Sequence, residues 1–443
     1  MTRPESSSSV RPRPTVAVPS FDDSLRRPFK EWLLLLMLAA VQFTIAVDFV
    51  IMMPLGPQLM RIFAIDTPAF NLAVSSYAGA AGLAGLGAAF VLDRFDRKTA
   101  LLMLYAGFAV GTLLCGLAPT YGALVFARAL AGCFGGIVGG VSLAMVGDLV
   151  PDARRASAVG TVMSAFSVAQ VAGVPLGLYF ADKLGWHVPF LLLAAVSGIV
   201  WVFGFVRLPK VRAHLQASRG ETLMRRFWAI LANANHLRAL ALMSVMTLGG
   251  FMIIPDLASY LVSNVHLSSG ELRLVYLVGG AATLFTMNGV GRLADRFGRM
   301  RVFSTMMVSS IVAAFLATHL PVVPALLAVA VSTFFMISMT GRFVPAMAMI
   351  TSSVEPEHRG GFMSVNSAVA QFSAALAATV AGWVIHDGAN HQLVGFGNVA
   401  WIYAGWATVG LWLASGIRAV APPRLKGARL ASVTSAESNT VSS

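Results

Sequence analysis

Charged residues are scarce in this chain of 443 residues. Asp, Glu, Lys and Arg make up 12% of it, where a soluble domain carries about 25%. Acids are the scarcer kind, 19 against 32 Lys and Arg. Cysteine is nearly missing. The two present, Cys115 and Cys133, lie inside apolar stretches, as small packing residues do, which excludes a disulfide framework or a thiolate metal site. No His, Asp and Glu cluster has metal-ligand or acid–base spacing. No outer connection is long enough to hold a catalytic domain. An integral-membrane enzyme or a receptor-like sensor is therefore set aside, and neither a metal nor a cofactor is expected. No cleavable signal peptide is expected either: residues 1–28 are rich in Ser, Pro and Arg (SSSSVRPRP), the composition of a disordered tail. The stretch from about 421 has a similar composition.

What the chain has in abundance is apolar length. It is 57% hydrophobic, and runs of about 18 or more apolar residues read as membrane helices. Twelve spans are expected: 31–56, 68–91, 98–117, 121–146, 157–181, 188–207, 238–263, 271–293, 301–319, 322–350, 361–385 and 398–419. Each can cross roughly 30 Å of hydrocarbon at about 1.5 Å per residue. Helix is forced, because lipid offers no partner to an unpaired backbone group. The Gly and Pro within the spans therefore argue for close packing and kinks. In span 4, Gly132, Gly136 and Gly140 recur every fourth residue, as do Gly135 and Gly139, a spacing that lets helices approach closely. GLAGLG at 82–87 lies inside a span with no strand before it, which excludes a nucleotide-binding loop.

A net charge of +13 would suggest a nucleic-acid partner in a soluble protein. Here its distribution records topology. With the N-terminus in the cytoplasm, 27 of the 32 Lys and Arg fall in cytoplasmic tails and connections. Three (Arg61, Lys183 and Arg273) fall outside, and Arg128 and Arg342 lie within spans. That asymmetry follows the positive-inside rule. It predicts a multi-pass protein of the cytoplasmic (inner) membrane with both termini cytoplasmic, whose surroundings are the lipid bilayer and not nucleic acid.

The chain also repeats itself. Asp93-Arg94-Phe95 returns as Asp295-Arg296-Phe297, PDAR at 151–154 as PEHR at 356–359, and DFVIMMPL at 48–55 faintly as GFMIIPDL at 250–257. Each piece falls at the same place in a six-span half. The expected organisation is a cytoplasmic tail (1–30), a six-helix bundle (31–207), a basic linker (208–237), a second six-helix bundle (238–419) and a second tail (420–443). RRFWAI in the linker reads as a plain connection or as an amphipathic surface helix. Two six-span halves in parallel repeat are a transporter architecture, with the site between them at mid-membrane.

These motifs carry a family resemblance. LDRFDRK (92–98) and GRLADRFGRM (291–300) resemble the cytoplasmic signature G-x-x-x-D-R-x-G-R-R/K of the major facilitator superfamily. The second copy fits at all but its last position. The first has Ala89 and Asp96 where the signature has Gly, a residue that accepts positive φ freely. ARALAGCFGG (127–136) resembles the Arg-containing fourth-helix motif, and AGVPLG (172–177) a degraded Gly-Pro fifth-helix motif of the drug–proton antiporters. VDFVIMMPLGPQL (47–59) is similar to the first helix of the sugar-efflux and multidrug-efflux branch. The resemblance implies an all-α integral membrane fold of twelve transmembrane helices in two pseudo-symmetric six-helix bundles.

It also implies roles. Asp93 would face the N-terminus of span 11 at Arg359, where unpaired N–H groups and the helix dipole favour an anion, and Asp148 is an acid available to Arg97. The resemblance makes these a latch of the outward-open state, together with Arg94, Lys98 and the second copy's Gly291, Asp295, Arg296, Gly298 and Arg299. Gly173, Pro175 and Gly177 would bend span 5, because proline removes a backbone bond.

Four charges lie inside spans: Asp48, Arg128, Asp256 and Arg342, one each on spans 1, 4, 7 and 10. Embedded charge is costly and points to function, and two acids with two arginines can balance. Asp48 and Arg128 stand at matched depth, each about seven residues from the outer end of its span, or roughly 10 Å. They permit a direct or water-bridged pair in which Asp48 carries a proton and Arg128 controls its affinity. Thr44 and Met52 share the Asp48 face at i−4 and i+4. Asp256, near an outer end, is either a cavity group or a solvated one. Arg342 is a candidate contact for substrate or anion. Gln42, Tyr77, Gln170, Asn288, Asn366 and Gln371 either line the cavity or bond helix to helix.

The expected function is a proton-coupled exporter: a monomeric secondary transporter of small organic molecules, in the manner of a multidrug antiporter. The alternative is an uncoupled facilitator or importer of a sugar-like solute. Against it, RLPKVRAH after span 6 lacks the Pro-Glu-Ser-Pro-Arg signature of sugar porters.

Overall fold

The computed structural model describes residues 28–91, 95–209, 230–355, 358–388 and 392–420. The first half comprises α1 (Pro28–Ile51), α2 (Gly56–Phe63), α3 (Thr67–Val91), α4 (Arg97–Gly116), α5 (Tyr121–Leu149), α6 (Asp152–Val168), α7 (Val174–Leu184) and α8 (His187–Arg207). The second comprises α9 (Ala234–Phe251), α10 (Ile254–Ser263), α11 (Ser269–Phe297), α12 (Arg299–Thr318), α13 (Ala325–Ser352), α14 (Arg359–Val384) and α15 (Phe396–Ser415). A two-residue antiparallel ladder, β1 (His386–Asp387) with β2 (Leu393–Val394), closes the connection before α15. A π-helical turn, Ala169–Gly173, joins α6 to α7 in one span, and α9 with α10 make another.

Among the described residues, 11 segments are long and apolar enough to cross a membrane. The twelfth span is α15, 20 residues long. Trp401, Tyr403, Trp406, Trp412 and Asn398 lower its hydropathy, and Trp401 and Trp412 are about as exposed as the lipid-facing side chains elsewhere (68% and 70%). The fold is thus a twelve-span, all-α membrane bundle in two halves. Its outer surface is apolar, with Leu83, Met103, Phe126, Ile199 and Leu326 all exposed, the arrangement that a hydrocarbon surround permits.

Span 1 differs from its expected limits. It ends at Ile51, and α2 restarts at Gly56 with Pro57 in its first turn. The turn at 52–55 holds Pro54, which has no N–H to continue the ladder. The same break recurs in the second half at Met252–Ile253, before Pro255 of α10. DFVIMMPL and GFMIIPDL therefore mark one structural event, and α2 meets α10 where the halves join.

Span 4 packs as its glycine spacing suggests, in part. A Cβ at Gly132 would overlap the Tyr77 carbonyl, and one at Gly136 would stand 2.5 Å from Ala81 Cβ, so α3 and α5 touch backbone to backbone. Gly140 meets nothing.

Among the described residues, the halves touch from the end remote from the termini to beyond mid-span, where Gly82 of α3 lies against Phe372 of α14. Opposite the termini, Gly382 of α14 lies against Pro68 of α3, and Gly280 of α11 against the Gln170 carbonyl. One apolar core there takes in residues of both halves, such as Leu59, Phe70, Leu257 and Phe396. Toward the termini, the first half keeps a core of its own around Leu38, Tyr105, Val138 and Met145. On that side Gly85, Gly87, Gly289 and Gly360 have no neighbour within 4 Å, and Phe285 and Met287 are exposed. The space between the halves is closed at the end remote from the termini, and among the described residues it is open around Gly85, Gly87, Gly289 and Gly360 toward theirs.

Candidate functional site

Spans 1 and 4 bring Asp48 and Arg128 together directly. Both are fully buried. Arg128 Nη1 donates to Asp48 Oδ2 at 2.9 Å and to the Asp48 carbonyl at 3.1 Å. Thr112 Oγ1 of α4 donates to the other carboxylate oxygen at 3.2 Å. The guanidinium sits 4.4 Å over the Tyr77 ring, a desolvated cation–π contact. Its Nε finds no acceptor. Because α1 stops at Ile51, Asp48 lies in the last turn of its helix, where the free carbonyls accept the guanidinium. Each of the two buried charges has the other as its partner, so neither is left uncompensated.

Tyr77 relays this cluster toward the second half. Its ring lies 5.3 Å from Phe49, which lies 5.8 Å from Phe251 of α9. Thr44 and Met52 are buried with Asp48. Thr44 turns toward α4, where its hydroxyl meets Tyr105 Oη at 2.9 Å. Gln42 faces α5, 3.4 Å from where a Gly139 Cβ would stand.

The second acid and the second arginine do not balance each other. Arg342 is buried behind α9, donating to Tyr403 Oη at 3.1 Å and to the Met246 carbonyl at 3.0 Å. No carboxylate pairs with it among the described residues. Asp256 is not solvated: α10 packs against the other half, leaving the carboxylate 0% exposed. Its Oδ2 accepts from Asn71 Nδ2 of α3 at 2.9 Å. One turn outward, Thr67 donates its N–H and hydroxyl to Asp387 at 2.9 and 2.8 Å. Arg273 approaches Asp182 at 3.8 Å. These three contacts cross between the halves at the closed end.

Of the remaining polar candidates, Asn366 is buried, Gln170 and Gln371 are half-buried and Asn288 is exposed. Gly173 and Gly177 abut Val47 and Ile51 of α1. The π-helical turn ends just before Pro175, so the widened turn absorbs the missing proline donor.

Asp93 and Arg94 lie outside the described residues. Of the rest of the first signature copy, Arg97 Nε stands 3.4 Å from Asp148 Oδ2, and Lys98 Nζ donates to the Phe205 carbonyl at 2.8 Å. Arg97 and Lys98 belong to the first turn of α4, not to the connection. Asp96 caps that helix, accepting from Lys98 N and Thr99 N at φ −56°. In the second copy Gly298 has φ +92°, so the two turns solve the same connection differently. Asp295 and Arg296 are exposed, and Gly291 borders Val344. Arg299 and Arg359 line a cleft of about 430 Å³ with Thr351 and Ser352.

Sequence reasoning missed Asn71, Thr112, Tyr403 and the Thr67–Asp387 contact. Asn71 had a signal, an amide within an apolar span. The others depend on helix rotation, which one sequence does not display.

Comparison with known proteins agrees with this architecture. The model of the Major Facilitator Superfamily matches residues 38–249 and 239–435. The inner membrane transport protein YdhP of Escherichia coli (strain K12) is 28% identical over 348 residues, 77% of this chain and 86% of that protein. The uncharacterized MFS-type transporter YceJ of Bacillus subtilis (strain 168) is 26% identical over 347 residues, 78% and 87% of the two chains. Among solved structures, a bacterial homolog of the human lysosomal transporter Spinster, inward-facing and unoccupied, superposes with TM-score 0.67 at 15% identity, covering 88% of this chain and 95% of that one. A mutant of the nucleoside transporter NupG gives TM-score 0.68 at 16% identity, covering 87% and 99%. Twelve spans in two repeated halves, the twice-used signature and a family match running through both halves lead to one assignment: the chain belongs to the major facilitator superfamily of membrane transporters.

Proposed function

We propose that this transporter exports small organic molecules across the cytoplasmic membrane in exchange for protons, by alternating access, as a monomer. The carrying observation is the Asp48–Arg128 pair, an acid and a base fully buried at 2.9 Å. Simple facilitation has no use for a buried ionisable pair, whereas proton exchange needs a carboxylate whose charge partner can be released. Residues 31–207 and 238–419 are the rocking bodies, and 208–237 is their cytoplasmic linker. With both termini cytoplasmic, the open end described above faces the cytoplasm. The Arg97–Asp148 contact and the cleft at Arg299 and Arg359 support a latch on that side, closed by Asp93 when the halves rock.

The test uses sealed vesicles and a panel of candidate substrates. An imposed pH gradient should drive accumulation by the wild type. Asp48→Asn, fixed in a neutral state, should keep substrate counterflow and lose gradient-driven accumulation. Gradient-driven transport that survives Asp48→Asn in full removes Asp48 as the carrier. Transport indifferent to the gradient in the wild type establishes the facilitator instead.

A further inference from the structure

Asp256 presents an accounting problem at the seam between the halves. Its side chain is wholly buried. Oδ2 accepts one hydrogen bond, from Asn71 Nδ2 at 2.9 Å, and Oδ1 has no donor. The carbonyl oxygen of the same Asn71 amide is buried without a donor too. No lysine or arginine among the described residues pairs with the carboxylate. As an ion, Asp256 would be a buried charge with one neutral hydrogen bond, which is strongly unfavourable. Two groups already joined by one bond thus carry two acceptor-only oxygens between them.

One proton removes both deficits. Placed on Asp256 Oδ1 it creates an O–H donor, and Asn71 Oδ1 is the acceptor that lacks one. A carboxylic acid and a primary amide then pair at two points, N–H to the acid carbonyl and O–H to the amide carbonyl. We propose that Asp256 and Asn71 form a proton-binding site that spans the two halves and is occupied while the end remote from the termini is closed. The site is separate from the coupling role given to Asp48.

Opening that end separates α3 from α10. Asp256 then meets water, where a carboxylate is well solvated and ionises freely. The closed state therefore binds the proton more tightly than the open one. Acid favours closure, alkali favours opening, and the ratio of the two states changes by up to about tenfold per pH unit, the limit for one proton. The other Asp, Glu, Lys, Arg and His residues at this end of the packed elements are His386 and Asp387 on β1, Asp66 at the head of α3, Arg61 on α2, His266 after α10, Glu271 and Arg273 at the head of α11, and His319 after α12. Asp66 caps its own helix at Ala69 N. Arg61 bonds the Pro57 carbonyl, Glu271 bonds Ser268, and Arg273 approaches Asp182. His319 meets Thr318. Asp387 accepts both bonds from Thr67.

The experiment reads conformation without substrate or gradient, so a failure of proton-driven transport would leave it unaffected. Spin labels at Lys183→Cys and Ser269→Cys, in a Cys115→Ala, Cys133→Ala background, report the distance across the closed end in lipid nanodiscs. The long-distance population should grow as pH rises. In Asp256→Asn, where an amide pair keeps both hydrogen bonds without a titrating proton, it should stay low at every pH. A wild type insensitive to pH, or an Asp256→Asn variant with the wild-type response, overturns the proposal. Infrared spectroscopy supplies a second reading: a protonated-carboxyl stretch at neutral pH that Asp256→Asn removes. Absence of that band from the wild type overturns the proposal even if the variant fails to fold.

Discussion

Removing Arg128 should damage the protein more than removing both members of its ion pair. In Arg128→Met, Asp48 stays fully buried and keeps one side-chain donor, Thr112 at 3.2 Å. Stranding a buried charge in this way costs about 3–5 kcal/mol. In Asp48→Asn the arginine retains the Asp48 carbonyl at 3.1 Å and the Tyr77 face at 4.4 Å, so the loss should fall below that of Arg128→Met. The double variant Asp48→Asn, Arg128→Met leaves no charge and puts an unbranched apolar chain among apolar neighbours. It should recover at least about 2 kcal/mol relative to Arg128→Met, because replacing a buried pair by packed neutral groups is often close to neutral. Reversible unfolding in mixed micelles, followed by tryptophan fluorescence, gives the four corners of the cycle. If the two single losses simply add in the double variant, the pair is not coupled and the argument from buried charge is wrong.

Gly132→Ala should destabilise by about 1–3 kcal/mol, since the new methyl meets the Tyr77 backbone. Gly140→Ala, which meets nothing, should be neutral or slightly stabilising in the same mixed-micelle unfolding assay. Asp96→Ala should cost about 1 kcal/mol by removing the cap of α4, and Asp96→Gly only a few tenths; equal losses would show that the capping side chain alone, and not backbone freedom, matters there. Thr67→Cys with Asp387→Cys, whose native side chains lie 2.8 Å apart across the halves, should form a disulfide that stops transport and releases it on reduction. Uninhibited transport in the oxidised protein would mean that this end need not open.

The spans were legible because an apolar run of that length has few alternatives in a membrane. Their ends shifted by a few residues at most sites. The break after Ile51 was not legible: Pro54 and Gly56 are tolerated within membrane helices, and only their recurrence at Pro255 marks them as a designed interruption. The Asp48–Arg128 contact could be anticipated from depth, since antiparallel spans 1 and 4 each place their charge about seven residues from the same surface. Its supports, Thr112 and Tyr77, could not, because they depend on which way each helix is rotated. Asn71 and Asp256 are 185 residues apart on different halves. No spacing rule links them, and the position of Asp256 near a helix end suggested water where the fold supplies another helix. The signature template also obscured Asp96. Read as a departure from glycine it looked strained; read as an Asp two and three residues before free amides, it is a helix cap.

The placement of the charges decides what each can drive. Asp48, Arg128, Thr112 and Tyr77 all belong to the first half, so a rigid rotation of that half carries the whole cluster along unchanged. Its protonation can bias alternating access only through contacts that reach the other half, and the aromatic line from Tyr77 through Phe49 to Phe251 is such a path. Asn71–Asp256 and Thr67–Asp387 differ in kind. They join the halves, and each opening of the closed end must break them. A proton bound there changes the free energy of the movement itself, with no relay. The repeat underlines the division of labour. Register places Gly250 where the first half has Asp48, so the second half forgoes the internal acid. Arg342, at 3.1 Å from the site of a Gly250 Cβ, settles on a tyrosine hydroxyl and a backbone carbonyl instead. The acid of span 7 lies six residues further on, at the seam. One half thus keeps its acid beside its base, and the other has moved its acid to the interface, where ionisation and opening are the same event.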